Sequence, residues 1–450
     1  MTTIDRGRLG AQFALERDRF VGERPRSAEL AAAADAHLLA GVPMAWMRRW
    51  PGPFPVFVAE ASGGRFIDVD GHQYVDLCLG DTGAMGGHGV AAVAAAITDQ
   101  AGRGFTSMLP TADAVWVASE LTQRFGLGAW QFALSATDAN RFALRLARRL
   151  TGRRTIVVFD GCYHGSVDET LVTADAAGHT IERPGSLGSP VDPATTTRVV
   201  PFNDVDALAA ALAPGDVAAV LAEPALTNIG IVLPEPGYHD ALRRLTIESG
   251  TMLVIDETHT ICAGPGGYTA EHGLDPDLLT IGKPIGGGVP AAAFGVAARW
   301  VERMRGWFDD PTVDVSGIGG TLAANALSLA AMRAALGATL RAEDFAVTIP
   351  LAERFTDGVA GVVAEHGLAW SVQRLGCRAE YWFSPPPTDG AAAAAAGDHE
   401  LEAYLHLYAL NRGVLLTPFH NMALLCPAHV ADDVDRHTAV FADAVGALTA

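Results

Sequence analysis

The chain has 450 residues, which is too long for one ordinary hydrophobic core and predicts two domains. Its formal net charge of −19 argues against binding nucleic acid or anionic membrane through a general basic surface. There is no apolar run of membrane-spanning length, no signal-peptide segment and no CxxC pair among the five scattered cysteines. The chain therefore predicts neither disulfides nor a metal site, and a reducing cytoplasm fits it.

The N-terminal region combines a predicted helix, a loop and a small sheet. Residues 5–40 place leucines and phenylalanines among alanines and charges, which predicts one packing helix. Residues 41–55 (GVPMAWMRRWPGPFP) contain prolines and tryptophans and predict a loop. Three short runs within residues 56–77, with a turn at Asp70-Gly71, predict an antiparallel meander.

A glycine-rich segment leads into a predicted helix at 91–101, and the next strand–helix unit offers a phosphate site. Strand 131–134 runs into Ser135-Ala136-Thr137, which opens the helix 140–150. A helix N-terminus can bind phosphate through its free N–H groups and its dipole. The residues alone favour a plain N-cap by Ser135 or Thr137.

Two further strands end in polar side chains. Strand 155–159 leads to Tyr163 and His164, and a tyrosine beside glycines can stack on an aromatic cofactor, although most tyrosines belong to the core. Strand 217–222 ends in Glu223, and Asn228 follows it. These residues predict only that polar groups lie at the functional edge of a sheet.

Lys283 is the only lysine in the chain, and every other cation among the 32 Lys and Arg is arginine. A guanidinium stays protonated and cannot replace a nucleophilic amine, so a single retained lysine points to chemistry. The buried runs 251–255 and 278–281 end in Asp256-Glu257 and Gly282-Lys283, and both predict strands of a parallel sheet. An aspartate and a lysine at neighbouring strand ends are what pyridoxal 5′-phosphate (PLP) requires, for the ring nitrogen and the Schiff base.

Other interpretations of this region fail. A P-loop would need a glycine at Asp277 and a serine or threonine after Lys283. His259 and Cys262 have the spacing of a metal-binding pair, but there is no second pair.

The segments IDET (255–258) and TIGKPIGGGVP (280–290), as a spaced pair, resemble class III aminotransferases, and within them the glutamate-1-semialdehyde aminomutase-like branch. The resemblance implies an α/β fold of PLP fold type I, the aspartate aminotransferase-like fold. It further implies a large, mostly parallel-sheet domain at 86–337 and a small α+β domain at 338–450, which the N-terminal segment 1–85 joins. The cofactor is expected between the two domains.

The resemblance also assigns site residues. It makes Ser135, Ala136 and Thr137 the phosphate cup, with Ala136 in place of the usual glycine. It places Tyr163 on the PLP ring face, Thr258 on the other face where a valine is usual, and Asp256 at the ring nitrogen. By the same likeness Thr321 reaches the phosphate of a partner subunit, which implies a homodimer with shared sites. His164, Glu223 and Asn228 are the remaining predicted cofactor neighbours, and Lys283 carries the Schiff base.

The implied activity is amino transfer between a primary amine or amino acid and a keto acid, ketone or aldehyde. The entrance loop, with Trp46, Met47 and Trp50, and the C-terminal loop, with Phe419, are expected to line a hydrophobic substrate pocket. The first three could equally form a dimer contact. Four arginines could bind a substrate carboxylate, although each is expected at the surface: Arg48, Arg49, Arg378 and Arg412.

Three alternatives remain. An aminomutase would carry a Ser/Arg segment near the N-terminus and a glutamate where this chain has Asn421. A β-amino acid aminotransferase would carry an arginine where Phe419 stands. A non-enzymatic PLP-binding scaffold lacks support, because Lys283 and Asp256 are both present.

The C-terminal region predicts helices at 331–336 and 349–366, then strands at 377–383 and 413–417. Between these strands, residues 384–397 (SPPPTDGAAAAAAG) have low complexity and predict a flexible loop inside the small domain.

Overall fold

The computed structural model describes residues 3–418 and 420–449. The strands are, in chain order, β1 (Val58–Ser62), β2 (Arg65–Asp68), β3 (Gln73–Asp76), β4 (Ala129–Ala133), β5 (Thr155–Phe159), β6 (Val172–Ala174), β7 (Thr180–Glu182), β8 (Thr197–Val200), β9 (Val217–Ala222), β10 (Met252–Asp256), β11 (Leu278–Ile281), β12 (Ala292–Val296), β13 (Ser371–Leu375), β14 (Arg378–Trp382), β15 (Val414–Leu415) and β16 (Met422–Leu424).

The α-helices are α1 (Arg6–Glu23), α2 (Pro25–Asp35), α3 (Ala91–Arg103), α4 (Ala112–Phe125), α5 (Ala136–Thr151), α6 (Val205–Leu212), α7 (Tyr238–Ser249), α8 (Gly267–Glu271), α9 (Ala298–Asp309), α10 (Ala326–Ala338), α11 (Ala342–Glu365), α12 (Gly390–Ala395), α13 (His399–Leu410) and α14 (Ala431–Thr449). Within the described ranges, no helix is both long and apolar enough to cross a membrane. A cytoplasmic location stays a prediction.

The chain divides into two compact units. The larger unit comprises 91–342 and 387–395, and the other comprises 1–90, 343–386 and 396–450. The larger unit is built on a seven-stranded sheet in the order β4-β12-β11-β10-β9-β5-β8. Only β12 runs antiparallel to its neighbours, so β4, β5 and β8 to β11 all end at one edge.

The central strands of this sheet are buried on both faces. Every residue of β9, β10, β11 and β12 is buried, as expected for near-continuous runs of valine, leucine, isoleucine and alanine. The helix α5 packs on this sheet through its apolar face, and its polar face carries arginines. Because connections between parallel strands return along the sheet, the polar residues that follow β4, β5, β9, β10 and β11 gather at one edge.

The second unit holds two small sheets and its own core. One sheet has the order β1-β2-β3-β15 and the other β13-β14-β16. Its core includes Leu9, Val75, Phe355 and Tyr404, each fully buried. The predicted meander is therefore present, with Gly71 in the left-handed region (φ +92°) at the predicted turn.

Three details of the sequence interpretation are wrong. The predicted helix 5–40 is two helices, because the ring of Pro25 cannot continue α1 but suits the first turn of α2. The predicted loop 384–397 contains the helix α12, whose alanines favour a helix once their first turn packs on the larger unit. The predicted strand 251–255 is shifted by one residue, because β10 runs from Met252 to Asp256.

Candidate active site

The carboxyl edge of the large sheet brings together the predicted cofactor residues of that unit. β10 ends at Asp256, and its parallel neighbour β11 ends two residues before Lys283. Glu223 follows β9, the neighbour of β10 on the other side. The predicted pairing of two parallel strands that carry Asp256 and Lys283 is confirmed.

Asp256 lies at the centre of a buried hydrogen-bond network. Its Oδ2 accepts hydrogen bonds from Asn140 Nδ2 at 2.8 Å and from His164 Nδ1 at 3.0 Å. Its Oδ1 accepts the N–H of Thr258 at 3.1 Å. Asn140 is itself held, because its Oδ1 accepts the hydroxyl of Thr280 at 2.6 Å and its Nδ2 also donates to the His164 carbonyl at 3.2 Å. The carboxylate plane is therefore fixed from three directions, and Oδ1 keeps a lone pair for one more donor.

The network keeps Asp256 ionised. Burial alone would raise the pKa of Asp256, but the hydrogen bond and charge of His164, with further donors at Thr258 and Asn140, lower that pKa to about 2. Burial acts on His164 in the opposite sense, and Cys162 and Asp256 outweigh it, so the pKa of His164 is well above its ordinary value. A carboxylate that stays charged inside the protein can hold a proton on a partner placed against it.

Lys283 stands in an unusual backbone conformation. Its φ is +47°, a region that costs a non-glycine residue about 1–3 kcal/mol. Gly282, just before it, leaves little room, since an added Cβ would lie 3.1 Å from the Cβ of Ala136. Lys283 Nζ lies 2.7 Å from His259 Nε2, and both side chains are half-buried. The strained backbone therefore aims the only amine side chain of the sequence at a fixed place on the sheet edge.

The N-terminus of α5 lies beside Gly282. Ser135 caps the helix, with its Oγ accepting the N–H of Asp138 at 3.2 Å. The N–H groups of Ala136 and Thr137 are in the first turn, where the helix supplies no acceptor. Thr137 is clamped, because its Oγ1 accepts the N–H of Ser166 at 3.1 Å. Ala136 has a helical backbone rather than a positive φ, so the exchange of glycine for alanine keeps these donors available.

The loops after β5 and β9 are joined through Glu223. The buried Glu223 accepts the N–H of Tyr163 through Oε1 at 3.1 Å and the N–H of Thr227 through Oε2 at 3.1 Å. Burial raises the pKa of Glu223, although His164, Thr227 and the Tyr163 N–H act to lower it. Asn228 is half-buried and donates to the carbonyl of Gly161 at 3.4 Å. The ring of Tyr163 is 40% exposed and so presents a free aromatic surface at this edge.

The structure places the remaining predicted residues as follows. Thr258 is buried, and its N–H holds Asp256, as described above. Thr321 is exposed, in a segment that follows Gly319 and Gly320, both with positive φ. Trp46, Met47 and Trp50 are half-buried in or beside the 3₁₀ turn Ala45–Arg49 of the other unit, and their role stays a prediction. Phe419 lies outside the described residues.

Two of the four candidate arginines are not surface residues. Arg378 is fully buried on β14, with its Nη2 3.6 Å from Oε2 of Glu380. Arg412 is half-buried and makes a two-pronged ion pair with Glu16, at 2.9 and 3.0 Å. A side chain on the covered face of a sheet is buried, and Arg378 lies on such a face of β14. The sequence of β14 does not show which of its two faces is covered.

Sequence reasoning missed two residues of the site. Asn140 was treated as an ordinary helix residue. The available signal was its position on the apolar face of the amphipathic helix α5, where a polar side chain needs a partner. His259 was considered only as half of a rejected metal pair, and its place two residues after the strand-ending Asp256–Glu257 pair was the overlooked signal. Both act through contacts between residues that are distant in sequence, at separations of 116 and 24 residues.

These residues fit PLP. Asp256 offers an ionised carboxylate with an open lone pair for a ring N–H, and the first turn of α5 offers unpaired N–H groups and the Thr137 hydroxyl for a phosphate. Gly165 makes the close approach of Thr137 possible, because a Cβ there would lie 2.1 Å from Thr137 Oγ1. The amine of Lys283 lies at the same edge and can bond an aldehyde carbon.

Comparison with known proteins agrees with this chemistry. The sequence model of the family described as Aminotransferase class-III matches residues 46–442. A glutamate-1-semialdehyde 2,1-aminomutase of Roseiflexus castenholzii is 34% identical over 402 residues, covering 88% of this chain and 91% of that protein. The crystal structure of a glutamate-1-semialdehyde-aminomutase from Pseudomonas aeruginosa PAO1 has 50% identity and a TM-score of 0.97, covering 99% of both chains.

A more distant solved structure is also similar. The β-phenylalanine aminotransferase from Variovorax paradoxus has 27% identity and a TM-score of 0.87, covering 97% of both chains. The predicted fold, PLP fold type I, is confirmed by these solved structures together with the mostly parallel sheet. The predicted likeness to the aminomutase branch of class III is confirmed as well.

Proposed function

Because the chain belongs to the aminotransferase class-III family, whose members depend on PLP, we propose that it transfers an amino group between two substrates. The donor would be a hydrophobic primary amine or amino acid, and the acceptor a keto acid, ketone or aldehyde. One observation carries the proposal: Lys283 and an ionised Asp256 stand at the ends of adjacent parallel strands. Bound PLP supplies an electron sink that stabilises negative charge on the carbon next to the amine.

Different residues would hold different parts of the cofactor. Asp256 would keep the ring nitrogen protonated, because its pKa of about 2 leaves it charged at any working pH. His164, Asn140 and Thr258 orient that carboxylate through the hydrogen bonds described above. The first turn of α5 and the hydroxyl of Thr137 would hold the phosphate. The exposed ring of Tyr163 would cover one face of the cofactor and exclude water there.

Lys283 would act in two ways through its Nζ atom. Its Nζ would hold the cofactor, and when a substrate amine takes that place, the same nitrogen would take and return a proton at the substrate carbon. The strained backbone at Lys283 supports this role, since strain of this kind persists where surrounding structure holds a residue for function.

The substrate class follows from the predicted pocket residues. Trp46, Met47 and Trp50 are large and apolar, and a carboxylate placed against such side chains without a partner would cost several kcal/mol, about 2–7 for an unpaired polar group alone. Arg48 and Arg49 are exposed, and either could supply the missing cation.

The resemblance expects a glutamate in an aminomutase where this chain has Asn421. Asn421 Oδ1 lies 3.3 Å from Nε2 of His406, whose pKa burial lowers to about 4.

An aminomutase is the second candidate, and the names of the similar proteins favour it. It would move the amino group within glutamate-1-semialdehyde and need no second substrate. A β-amino acid aminotransferase is supported more weakly, by the similarity to the Variovorax paradoxus enzyme.

One experiment separates these candidates. Initial rates are measured for 1-phenylethylamine, β-phenylalanine and glutamate-1-semialdehyde, each with pyruvate, with 2-oxoglutarate and with no added acceptor. Two-substrate transamination requires the acceptor and prefers the aryl amine. Formation of 5-aminolevulinate without any acceptor would establish the aminomutase and reject the transaminase assignment.

We also propose that the working unit is a homodimer with shared sites. Two neighbouring segments of the larger unit carry exposed apolar side chains, and they are joined where the N–H of Ala326 donates to the carbonyl of Phe105 at 3.0 Å. Met108 and Leu109 are 74% and 73% exposed, and Leu322, beside Thr321, is 50% exposed. Apolar side chains of this size gathered at a surface favour burial against a second protein, here a second copy of the chain.

A further inference from the structure

The contact between Lys283 and His259 is the part of the site that the proposed function does not use. The two nitrogens, Lys283 Nζ and His259 Nε2, lie 2.7 Å apart, at ordinary hydrogen-bond distance. Both residues stand at the carboxyl edge of the sheet, His259 three residues after the end of β10 and Lys283 two residues after the end of β11. The pairing of these strands thus brings an imidazole to the only lysine.

The histidine is held by its own loop. Glu257 is completely buried, and its carboxylate accepts the hydroxyl of Thr260 at 2.6 Å and the N–H groups of Tyr268 at 3.1 Å and Thr269 at 2.5 Å. Gly267 leaves the space for this carboxylate, because a Cβ there would lie 2.5 Å from Glu257 Oε2. His259 lies between two anchored residues, Glu257 and Thr260, so its ring is carried on a fixed backbone.

The two nitrogens, Lys283 Nζ and His259 Nε2, can share one proton. A lysine ammonium is only a donor, so Nε2 must accept when Lys283 is charged. A neutral lysine amine has a lone pair, and Nε2–H of a protonated imidazole can then donate to it. The same separation serves both arrangements, so a proton can pass from one nitrogen to the other without moving either side chain. Histidine suits this exchange because its charge changes in the physiological pH range.

We propose that His259 positions the Lys283 amine and takes its proton, which makes Lys283 a neutral nucleophile before it bonds a carbonyl carbon. The N–H bond at Lys283 Nζ breaks, a new N–H bond forms at His259 Nε2, and the electron pair stays on Nζ. The total charge of the pair is unchanged, and the proton returns when the amine is released. This inference rests on the proposed function, in which Lys283 bonds the cofactor.

The single lysine allows a direct test. The full-length protein is freed of cofactor and treated at neutral pH with trinitrobenzenesulfonate, which reacts with unprotonated amines. Mass spectrometry then follows the labelling of the Lys283 peptide, and the N-terminal amine of the same chain serves as internal reference. The rate of cofactor addition to the same samples is followed by absorbance.

Three variants are compared with the natural protein. H259A removes the proton acceptor, and H259Q keeps a polar group of similar reach that cannot take a proton. H272A is the matched control, because His272 is exposed and its ring stacks on that of Tyr268. Circular dichroism establishes that each variant is folded, and H259Q decides the outcome should H259A not fold.

We expect H259A and H259Q to label Lys283, and to add cofactor, about 100-fold more slowly, the lower part of the range for a positioned proton acceptor. Added imidazole should restore part of the rate in H259A, and H272A should match the natural protein. Labelling of either His259 variant at the natural rate, or no effect of imidazole, would overturn the inference. If borohydride fails to attach cofactor to Lys283 in the natural protein, the proposed function fails instead.

Discussion

The replacement D256N tests how the buried carboxylate contributes to stability and to chemistry. The pKa of Asp256 falls from the ordinary 3.8 to about 2 in the folded protein, which at about 1.4 kcal/mol per pKa unit corresponds to about 2–3 kcal/mol of stability. The amide of D256N also turns an NH₂ group toward the network. Asn140 and His164 donate to Oδ2 and the N–H of Thr258 donates to Oδ1, so the NH₂ group would face a donor at either position and lower the stability further.

The pH dependence follows from two groups of opposite sign. The folded pKa of Asp256 is lowered, so its contribution is complete above the unfolded value of 3.8 and is lost as the pH falls toward 2. The folded pKa of His164 is raised, so its contribution is complete below the unfolded value of 6.5 and is lost as the pH rises through the folded pKa. The stability difference between the natural protein and D256N should therefore be greatest between these two unfolded values.

The matched control is D277N. Asp277 is also buried with a lowered pKa, and it accepts Arg243 Nη1 at 2.9 Å and Trp300 Nε1 at 2.8 Å, just before β11 begins. Both variants should lose stability in urea unfolding of the cofactor-free protein, followed by tryptophan fluorescence. Only D256N should slow the first half-reaction, by about 100-fold or more, the size expected for loss of one preorganised electrostatic partner. Equal rate losses in both variants, from stopped-flow absorbance at saturating amine, would refute the reasoning.

Three further outcomes are expected. Borohydride reduction of the loaded protein should attach the cofactor to the peptide that holds Lys283, and an adduct on any other peptide, found by mass spectrometry, would contradict the assignment. T321A should weaken cofactor binding, measured by dialysis, by about 1.5–3 kcal/mol, the value of one hydrogen bond to a charged group. A fully active monomer, identified by light scattering, would disprove the shared site. G165A should lower cofactor affinity, because the added Cβ would lie 2.1 Å from Thr137 Oγ1. G178A is the control and should not change the affinity, because Gly178 has a similar φ (+82°, against +76° for Gly165) and no atom beyond its chain neighbours within 4 Å of an added Cβ. Equal affinities of these two glycine variants in fluorescence titration would show that the clamp on Thr137 is unimportant.

The C-terminal region illustrates the limits of sequence patterns. Arg378, expected at the surface, is buried, and the supposed loop 384–397 contains α12. A charged residue or an alanine run carries little information about burial, since that depends on which elements cover it. The strands 155–159, 217–222 and 278–281 were predicted with correct bounds, because strands buried on both faces are continuous apolar runs.

The amino-acid sequence by itself indicated the chemistry of this site. A single lysine after one buried strand and an aspartate at the end of another are local features, and they were sufficient to predict a PLP site. The fold type was implied by the resemblance of residues 255–258 and 280–290 to class III aminotransferases, and the roles of Lys283 and Asp256 stay predictions. Only the tertiary structure decided which side chains surround them. Asn140 and His164 meet at Asp256, and His259 meets Lys283, because the order β11-β10-β9-β5 and the packing of α5 bring distant segments to one edge. Strand order arises from long-range packing that no local periodicity encodes, so these contacts could not be predicted from the chain alone.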